Sequence, residues 1–378
     1  MIYLDFAATT KPSPEALNIF NEVNEKFWAN PDSMHDFGIK AEAVLTHARK
    51  NILESFNAED EYNLIFTSSA TESNNLVLKN FANLQKQIIS SNIEHASVLE
   101  PLLFLQQKQK LNVEFLPVNQ YGVISLEDFE KKIGQTTVAS IMHVNNEIGS
   151  VNDVFEMAKI IKRKNKQTLF HSDFSQSVGK LPVSLKNSNI DFVSFSGHKI
   201  ECVKGIGALI FKKNITINPQ LHGGNQEFGF RASTSNTAAA AALAKSVKIA
   251  VKLQKERYEK VQKLQKILLD NLSQIPAIQI NTPANEEKPF ASSPFIVNFS
   301  VPKQKSETIL RALSLKEIYI STVSACSAKK AKESYVVKAL FNDKHRAASS
   351  MRVSLSAETT ETEILTFIEE LKKILDNL

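Results

Sequence analysis

Cysteine and glycine are both scarce in this chain, and long apolar runs are absent. Only two cysteines, Cys202 and Cys326, occur in 378 residues. Two cysteines cannot build a disulfide framework, so we expect a reducing, cytoplasmic location. No apolar stretch reaches the roughly 18 residues that a spanning helix needs, and the amino terminus lacks a signal-peptide pattern. We therefore expect no association with a membrane.

The overall composition is that of an ordinary soluble globular protein. Apolar residues make up 43% and charged residues 22%, and the length predicts two or three domains. The net charge of +5 is spread along the chain. Such a modest basic surface is compatible with an anionic partner, but we expect no direct binding of nucleic acid. The sequence predicts no metal site.

One predicted strand ends close to a lysine. Residues 190–196 are rich in β-branched and aromatic side chains and are followed by Gly197, His198 and Lys199. In an open α/β sheet, ligands bind outside the carboxyl ends of the strands. A lysine that is partly desolvated there has a lowered pKa and can attack a carbonyl. Taken alone, Lys199 would be interpreted as a solvated loop lysine, since lysines are mostly exposed.

A second predicted strand ends at an aspartate. The apolar run 168–170 leads through His171 and Ser172 to Asp173. Asp173 by itself could be a helix cap. Together, however, a lysine and an aspartate on neighbouring strand ends are the two groups that pyridoxal phosphate (PLP) requires, one for its aldehyde and one for its ring nitrogen. The spacing of Asp173 and Lys199 predicts one βαβ-like unit with both side chains at the same sheet edge.

These motifs resemble the cysteine desulfurases of the class V aminotransferase family. The resemblance rests on Ser-Phe-Ser-Gly-His-Lys at 194–199 and on His-Ser-Asp-x-x-Gln-Ser-Val-Gly-Lys at 171–180. It extends from Tyr-Leu-Asp-Phe-Ala-Ala-Thr-Thr at 3–10 to Arg-Val-Ser-Leu-Ser at 352–356. It implies an α/β fold, the type I fold of PLP-dependent transferases. A large domain with a mainly parallel seven-stranded sheet would be joined to a smaller α/β carboxy-terminal domain.

The resemblance also implies how PLP would be bound. It assigns Lys199 to the cofactor aldehyde, Asp173 to the ring nitrogen and His95 to the ring face. Asn146 and Gln176 would lie at the ring hydroxyl. The phosphate would bind at the start of a helix, where Ser69 and Glu72 have the spacing of a capping box. The residues implied there are Ala70, Thr71, Ser196 and His198, with Thr234 contributed by the other subunit of a homodimer.

The sulfur chemistry is implied by a single cysteine. Cys326 stands among small residues and is followed by lysines, which favour the thiolate. By resemblance it takes sulfur from L-cysteine as a persulfide and leaves L-alanine, while Arg352 holds the substrate carboxylate together with Asn146. Either Lys199 or His95 would move the α-proton. Cys202 lacks such a context, and we interpret it as structural.

The predicted domains are residues 12–250 for PLP binding, and residues 1–11 with 251–378 for the small domain. A loop at about 321–335 would carry Cys326 between the cofactor and an acceptor protein. We expect the acceptor to be a tRNA thiouridylase rather than an iron–sulfur scaffold, because the chain stops at Leu378, directly after its last predicted helix. Synthesis of a thio-cofactor is a further possible use of the sulfur.

Two alternatives to a cysteine desulfurase stay open at this point. A selenocysteine lyase or a cysteine sulfinate desulfinase would share the scaffold, although sulfinate cleavage does not need Cys326. A catalytically weakened interaction protein would explain why glycines of the family pattern are replaced. The replacements are at Ser69, Asn225, Ala232-Ser233 and Glu201-Cys202-Val203. The presence of Lys199, Asp173, His95, Gln176, Cys326 and Arg352 argues for an enzyme.

Overall fold

The computed structural model describes residues 1–80, 87–283, 292–322 and 333–378. Helices and strands alternate through most of these ranges. The α-helices are α1 (Pro14–Lys26), α2 (Asp36–Ser55), α3 (Ala70–Asn80), α4 (Ala96–Gln109), α5 (Leu126–Lys132), α6 (Val154–Lys164), α7 (Thr237–Lys252), α8 (Gln254–Ser273), α9 (Ser306–Ser314), α10 (Tyr335–Phe341), α11 (Lys344–Ala348) and α12 (Glu361–Asp376). The strands are β1 (Ile2–Tyr3), β2 (Tyr62–Thr67), β3 (Gln87–Ser91), β4 (Val113–Leu116), β5 (Thr136–Ser140), β6 (Leu169–Asp173), β7 (Phe192–Ser196), β8 (Gly207–Lys212), β9 (Gln279–Ile280), β10 (Ile296–Ser300), β11 (Ile318–Tyr319), β12 (Ser321–Thr322) and β13 (Ser350–Ser354).

A seven-stranded sheet forms the centre of the molecule, in the order β2-β8-β7-β6-β5-β3-β4. Strand β8 is antiparallel to both of its neighbours, while the remaining pairs are parallel. Such a sheet is covered on both faces, which is why its strands are almost wholly buried. The fold is therefore α/β with a mainly parallel seven-stranded sheet, as predicted.

The strands that carry Asp173 and Lys199 are parallel neighbours, as expected, but the connection between them is not a helix. Strand β6 pairs with β7 in parallel, so both residues lie at the same sheet edge. Residues 174–191 consist of turns and irregular backbone. The prediction of a βαβ-like unit was therefore wrong in its middle element. Gly179 explains part of the path, because it has φ +69° and a Cβ there would lie 2.4 Å from the Ala250 side chain.

Alanine determines how the helices pack behind the large sheet. Helix α7 contains a run of alanines that are almost fully buried, and it packs against α1 and α2. Small side chains let these helices approach closely. The helical region from Thr237 to Ser273 is divided, because α7 ends at Lys252 and α8 begins at Gln254, after the single residue Leu253.

A second, antiparallel sheet has the order β12-β13-β10-β9. Strand β13 holds Arg352, which pairs with Asn298 on one side and with Ser321 on the other. The hydrophobic core beside this second sheet contains Leu4 near the amino terminus and residues between 261 and 371. The core beside the large sheet draws on residues between 45 and 250. The domain boundaries at 11/12 and 250/251 stay a prediction.

Side-chain caps begin the first and the last α-helix of the chain. Ser13 caps α1 and accepts a hydrogen bond from the Ala16 amide. Thr360 and Glu363 form a reciprocal capping box at α12. In the ranges that the structure describes, no helix combines the length and apolarity needed to cross a membrane.

Candidate active site

A cavity of about 1220 Å³ opens at the carboxyl edge of the large sheet. The second sheet and the amino-terminal segment form its other walls, since Arg352, Ala7 and Ala8 line it. Most residues predicted for the site share this cavity. They are Ala70, Thr71, His95, Asn146, Asp173, Gln176, Ser196, His198, Lys199 and Arg352.

Lys199 reaches the cavity at the end of a short 3-10 turn, Gly197–Lys199, that directly follows β7. Its amine donates hydrogen bonds to the carbonyls of Ala7 and Ala8, the latter at 2.7 Å. The amino-terminal segment therefore holds the lysine side chain within the cavity.

Asp173 ends β6 and is 6% exposed. Its Oδ1 accepts a hydrogen bond from the Ser175 amide, and its Oδ2 accepts one from the Asn74 side-chain amide, both at 2.8 Å. The arrangement leaves an oriented negative charge on the cavity wall.

His95 caps α4 and lies on the same wall. Its Nδ1 is 3.1 Å from the Ser97 amide and 2.8 Å from the Ser97 hydroxyl. Burial lowers the pKa of His95, and the positive charges of Lys199 and Arg352 lower it further, against the opposite effect of Asp173. We therefore expect a neutral imidazole at physiological pH.

The predicted phosphate site is at the start of α3. The Ser196 hydroxyl accepts a hydrogen bond from the Ala70 amide at 2.7 Å, which ties β7 to this helix. Burial and nearby Lys199 lower the pKa of His198 to about 4. The start of β8 lies so close to the backbone of Ser69 that only glycine fits at position 207, because a Cβ on Gly207 would lie 2.7 Å from the Ser69 carbonyl carbon.

Arg352 and Asn146 provide buried polar atoms that lack partners in the described part of the chain. Arg352 donates from Nη1 to the Asn146 carbonyl and from Nη2 to Asp5, each at 2.8 Å. Its Nε is buried without a hydrogen bond, and so is the Asn146 side-chain oxygen. Buried polar groups are normally satisfied, so these two atoms indicate the place of a ligand.

Gln176 is held from two sides. Its Nε2 donates to the Ala7 carbonyl, and its Oε1 accepts from the Lys180 amine, both at 2.9 Å. Burial lowers the pKa of Lys180 to about 7, and Lys199 and Arg352 contribute in the same direction. Sequence reasoning did not assign a role to Lys180, although it belongs to the same motif as Gln176.

Two predicted residues are not placed in this cavity. Thr234 instead lines a separate pocket of about 210 Å³, together with Thr67 and Ser68. Cys326 lies outside the described residues, whereas Thr322 and Glu333, the nearest described residues on either side, both line the cavity. Cys202 is fully buried, and burial raises the pKa of its thiol to about 12.

The replaced glycines differ in their backbone conformation. Ser69, Asn225 and Cys202 have no positive φ, so an ordinary side chain costs little there. Ser233 has φ +146°, a region that glycine alone occupies readily. The backbone at the predicted phosphate-binding turn therefore accommodates serine. Among the replaced positions, a positive φ occurs at Glu201 (+60°) and at Ser233 (+146°).

The cavity wall fits PLP in its chemistry. An oriented carboxylate, an amine and an unpaired amide oxygen are close to the helix start where a phosphate would bind. Sequence reasoning missed Asn74, Ser97 and Glu147, which are buried around this wall. Asn74 follows Ala70 by four residues on α3, and this helical spacing could have placed it on the same face. Within the described ranges, no group of three or more His, Cys, Asp or Glu side chains could hold a metal ion.

Comparison with known proteins identifies relatives along the whole chain. The aminotransferase class V family model matches residues 2–367. A cysteine desulfurase IscS of Clostridium botulinum is 34% identical, over 99% of this chain and 94% of the relative. A mitosomal cysteine desulfurase of Trachipleistophora hominis is 37% identical, over 96% and 83%. The solved structure of a NifS-like protein superposes with a TM-score of 0.91 at 33% identity, over 100% of both chains.

Proposed function

The chain belongs to the class V aminotransferase family, and from that premise we propose that it removes sulfur from L-cysteine, leaving L-alanine, and stores the sulfur as a persulfide on Cys326. Its relatives are cysteine desulfurases, and members of the family use PLP. The observation that carries the proposal is the convergence of Lys199, Asp173, His95 and Arg352 on one cavity. Thr322 and Glu333, which flank the stretch containing Cys326, also line this cavity.

The residues of the cavity have distinct roles toward the cofactor. Lys199 would hold the PLP aldehyde, Asp173 would pair with the ring nitrogen and His95 would lie on the ring. The helix start at Ala70 and Thr71, with Ser196 and His198, would bind the phosphate. When bound, PLP supplies an electron sink that stabilises negative charge on the substrate α-carbon.

Arg352 is the proposed anchor of the substrate carboxylate. Its free Nε can donate to a carboxylate oxygen, and a guanidinium suits this group because it can donate two parallel hydrogen bonds. Asp5 already pairs with Nη2 at 2.8 Å, which keeps the arginine in place. The unpaired Asn146 oxygen next to it can accept a hydrogen bond from the cofactor or the substrate amine.

The sulfur step uses the Cys326 thiolate as the nucleophile. It attacks the substrate sulfur, so that a sulfur–sulfur bond forms while the carbon–sulfur bond breaks. The electron pair of the broken bond stays with carbon, which takes up a proton and becomes the methyl group of alanine. Lys199 is positioned to remove and return the α-proton, because its amine lies in the cavity.

We also propose that the protein is a cytoplasmic homodimer. Thr234 lies outside the cavity of its own chain, which is consistent with a contact to the phosphate site of a second copy. Large apolar side chains at Trp28, Met34 and Phe228 are more than half exposed, and such residues are enriched at protein interfaces. Light scattering of the purified protein tests the dimer.

For the sulfur acceptor we propose a tRNA thiouridylase, with an iron–sulfur scaffold as the second candidate. The net charge of +5 supports this choice, because a basic surface is compatible with a complex that also contains tRNA. Affinity capture on the persulfide form should recover the thiouridylase. Recovery of the scaffold without a thiouridylase would contradict the assignment.

The experiment for the function compares two cysteine variants. Cys326→Ser should retain the yellow colour of bound PLP and release no sulfide from L-cysteine, because serine cannot hold a persulfide. Mass spectrometry of the wild type after one turnover should place one extra sulfur on Cys326. Cys202→Ser is the control and should retain activity, since that thiol is buried. Extra sulfur on Cys202 would reverse the assignment, and turnover of L-selenocysteine or cysteine sulfinate alone would identify the other reaction.

A further inference from the structure

Asn74 connects the two catalytic groups of the cavity wall. It is fully buried on α3. Its side-chain nitrogen donates one hydrogen bond to Asp173 Oδ2 and another to the Ser97 hydroxyl, both at 2.8 Å. Ser97 in turn contacts His95 Nδ1. A single amide group therefore touches both the carboxylate and the partner of the imidazole.

The direction of these hydrogen bonds follows from counting protons. Asn74 Nδ2 has two hydrogens, and the two contacts use both. The Ser97 oxygen accepts one of them, so its own hydrogen is available for His95 Nδ1. The backbone amide of Ser97 also donates to this nitrogen at 3.1 Å. Because two donors point at His95 Nδ1, that nitrogen cannot carry a proton.

The hydrogen-bond partners of the Asn74 side-chain oxygen determine the orientation of its amide group. Its oxygen accepts a hydrogen bond from the Ser194 hydroxyl. Ser194 lies 3.1 Å from His171 Nε2, and His171 Nδ1 lies 2.8 Å from the Ser140 hydroxyl. Burial lowers the pKa of His171 to about 4, so this imidazole is neutral. All of these groups are satisfied when the hydrogen bonds run from Ser140 through His171 and Ser194 to Asn74.

We propose that Asn74 is a positioning residue that orients the Asp173 carboxylate and, through Ser97, holds His95 in the tautomer with its proton on Nε2. The amide cannot be reversed, because its oxygen would then face the Asp173 carboxylate, which has no hydrogen to donate. One buried side chain therefore determines both the orientation of the Asp173 carboxylate and the position of the proton on His95.

The tautomer has a consequence for proton transfer that rests on the proposed function. His95 presents the N–H of a neutral imidazole to the cavity, so it can donate a hydrogen bond there but has no lone pair on that nitrogen to accept a proton. Lys199 is then the residue that removes the α-proton, and His95 acts as a donor. This resolves the choice between Lys199 and His95 that the sequence leaves open.

The test measures the His95 imidazole by NMR in full-length, PLP-loaded protein labelled with ¹⁵N-histidine, with His95→Gln used to assign the signal. The wild type should show a protonated Nε2 and an unprotonated Nδ1. Ser97→Ala removes one donor to the neutral ring, so its proton affinity should rise roughly fivefold. Ser97→Thr keeps the hydroxyl and should restore the wild-type value. A wild-type proton on Nδ1 would overturn the proposal.

Asn74→Leu tests the link between the two groups. It should raise the proton affinity of His95, and it should also change the pH dependence of the PLP absorbance, because Asp173 loses one hydrogen bond. Ser97→Ala should change only the proton affinity of His95. Asn75→Leu, on the same helix but bonded through its amide to the Thr71 carbonyl, is the matched control and should change neither. An unchanged His95 in Asn74→Leu would contradict the positioning role. The NMR result does not depend on turnover, so the desulfurase proposal can fail separately.

Discussion

Replacement of Ser233 by glycine should stabilise the protein, although glycine substitutions usually destabilise. Ser233 has φ +146° and an exposed side chain. A non-glycine residue in such a region costs about 1–3 kcal/mol. Glycine removes that strain but makes the unfolded chain more flexible, which costs about 0.4–1 kcal/mol. The net gain in the free energy of unfolding should be about 1 kcal/mol.

Ser69 provides the matched control for this substitution. It is also a serine in place of a family glycine, but its φ is not positive. Ser69→Gly therefore relieves no strain, makes the unfolded chain more flexible and removes the hydroxyl that accepts from the Glu72 amide, so it should lower the free energy of unfolding by about 0.5–1 kcal/mol. The two substitutions are chemically identical and should have opposite signs.

Urea unfolding at one protein concentration, followed by circular dichroism, measures both variants. The midpoint should move to higher urea for Ser233→Gly and to lower urea for Ser69→Gly, with unchanged slopes. A lower midpoint for Ser233→Gly would refute the reasoning, since it would show that the serine is not strained.

Three further predictions concern the cavity. Burial raises the pKa of Glu147 from 4.5 to about 7. As the pH rises, the unfolded chain therefore releases this proton before the folded protein does, and about 3 kcal/mol of stability is lost between those two pH values. Glu147→Gln should remove that loss when urea midpoints are compared at pH 5 and pH 8, and a pH dependence equal to that of the wild type would contradict the prediction. Lys199→Ala should abolish both the PLP colour and turnover, and normal activity would exclude the mechanism. Gly207→Ala places a Cβ 2.7 Å from the Ser69 backbone and should weaken PLP binding about tenfold or more in an absorbance titration, whereas Gly134→Ala has open space and should not.

The sequence by itself determined the fold class, several local elements and the identity of the principal site residues. Strand β2 and the capped starts of α1 and α12 follow from short-range signals, namely β-branched runs and side chains that cap the nearest amides. Asp173 and Lys199 were found because each follows a buried strand, and parallel strands bring their carboxyl ends to one edge. The residues that the resemblance implied were recognised by motif, and most of them share one cavity.

Only the tertiary structure decided how these residues are held. Asn74 meets Asp173 across 99 positions of the chain, and Arg352 meets Asp5 across 347. No local pattern encodes such contacts, because they depend on which elements pack together. The connection between β6 and β7 also includes such a long-range contact, since Gly179 lies against Ala250 with no room for a Cβ. The sequence named the groups that carry the chemistry, and the packing of distant segments set their orientation, partners and protonation.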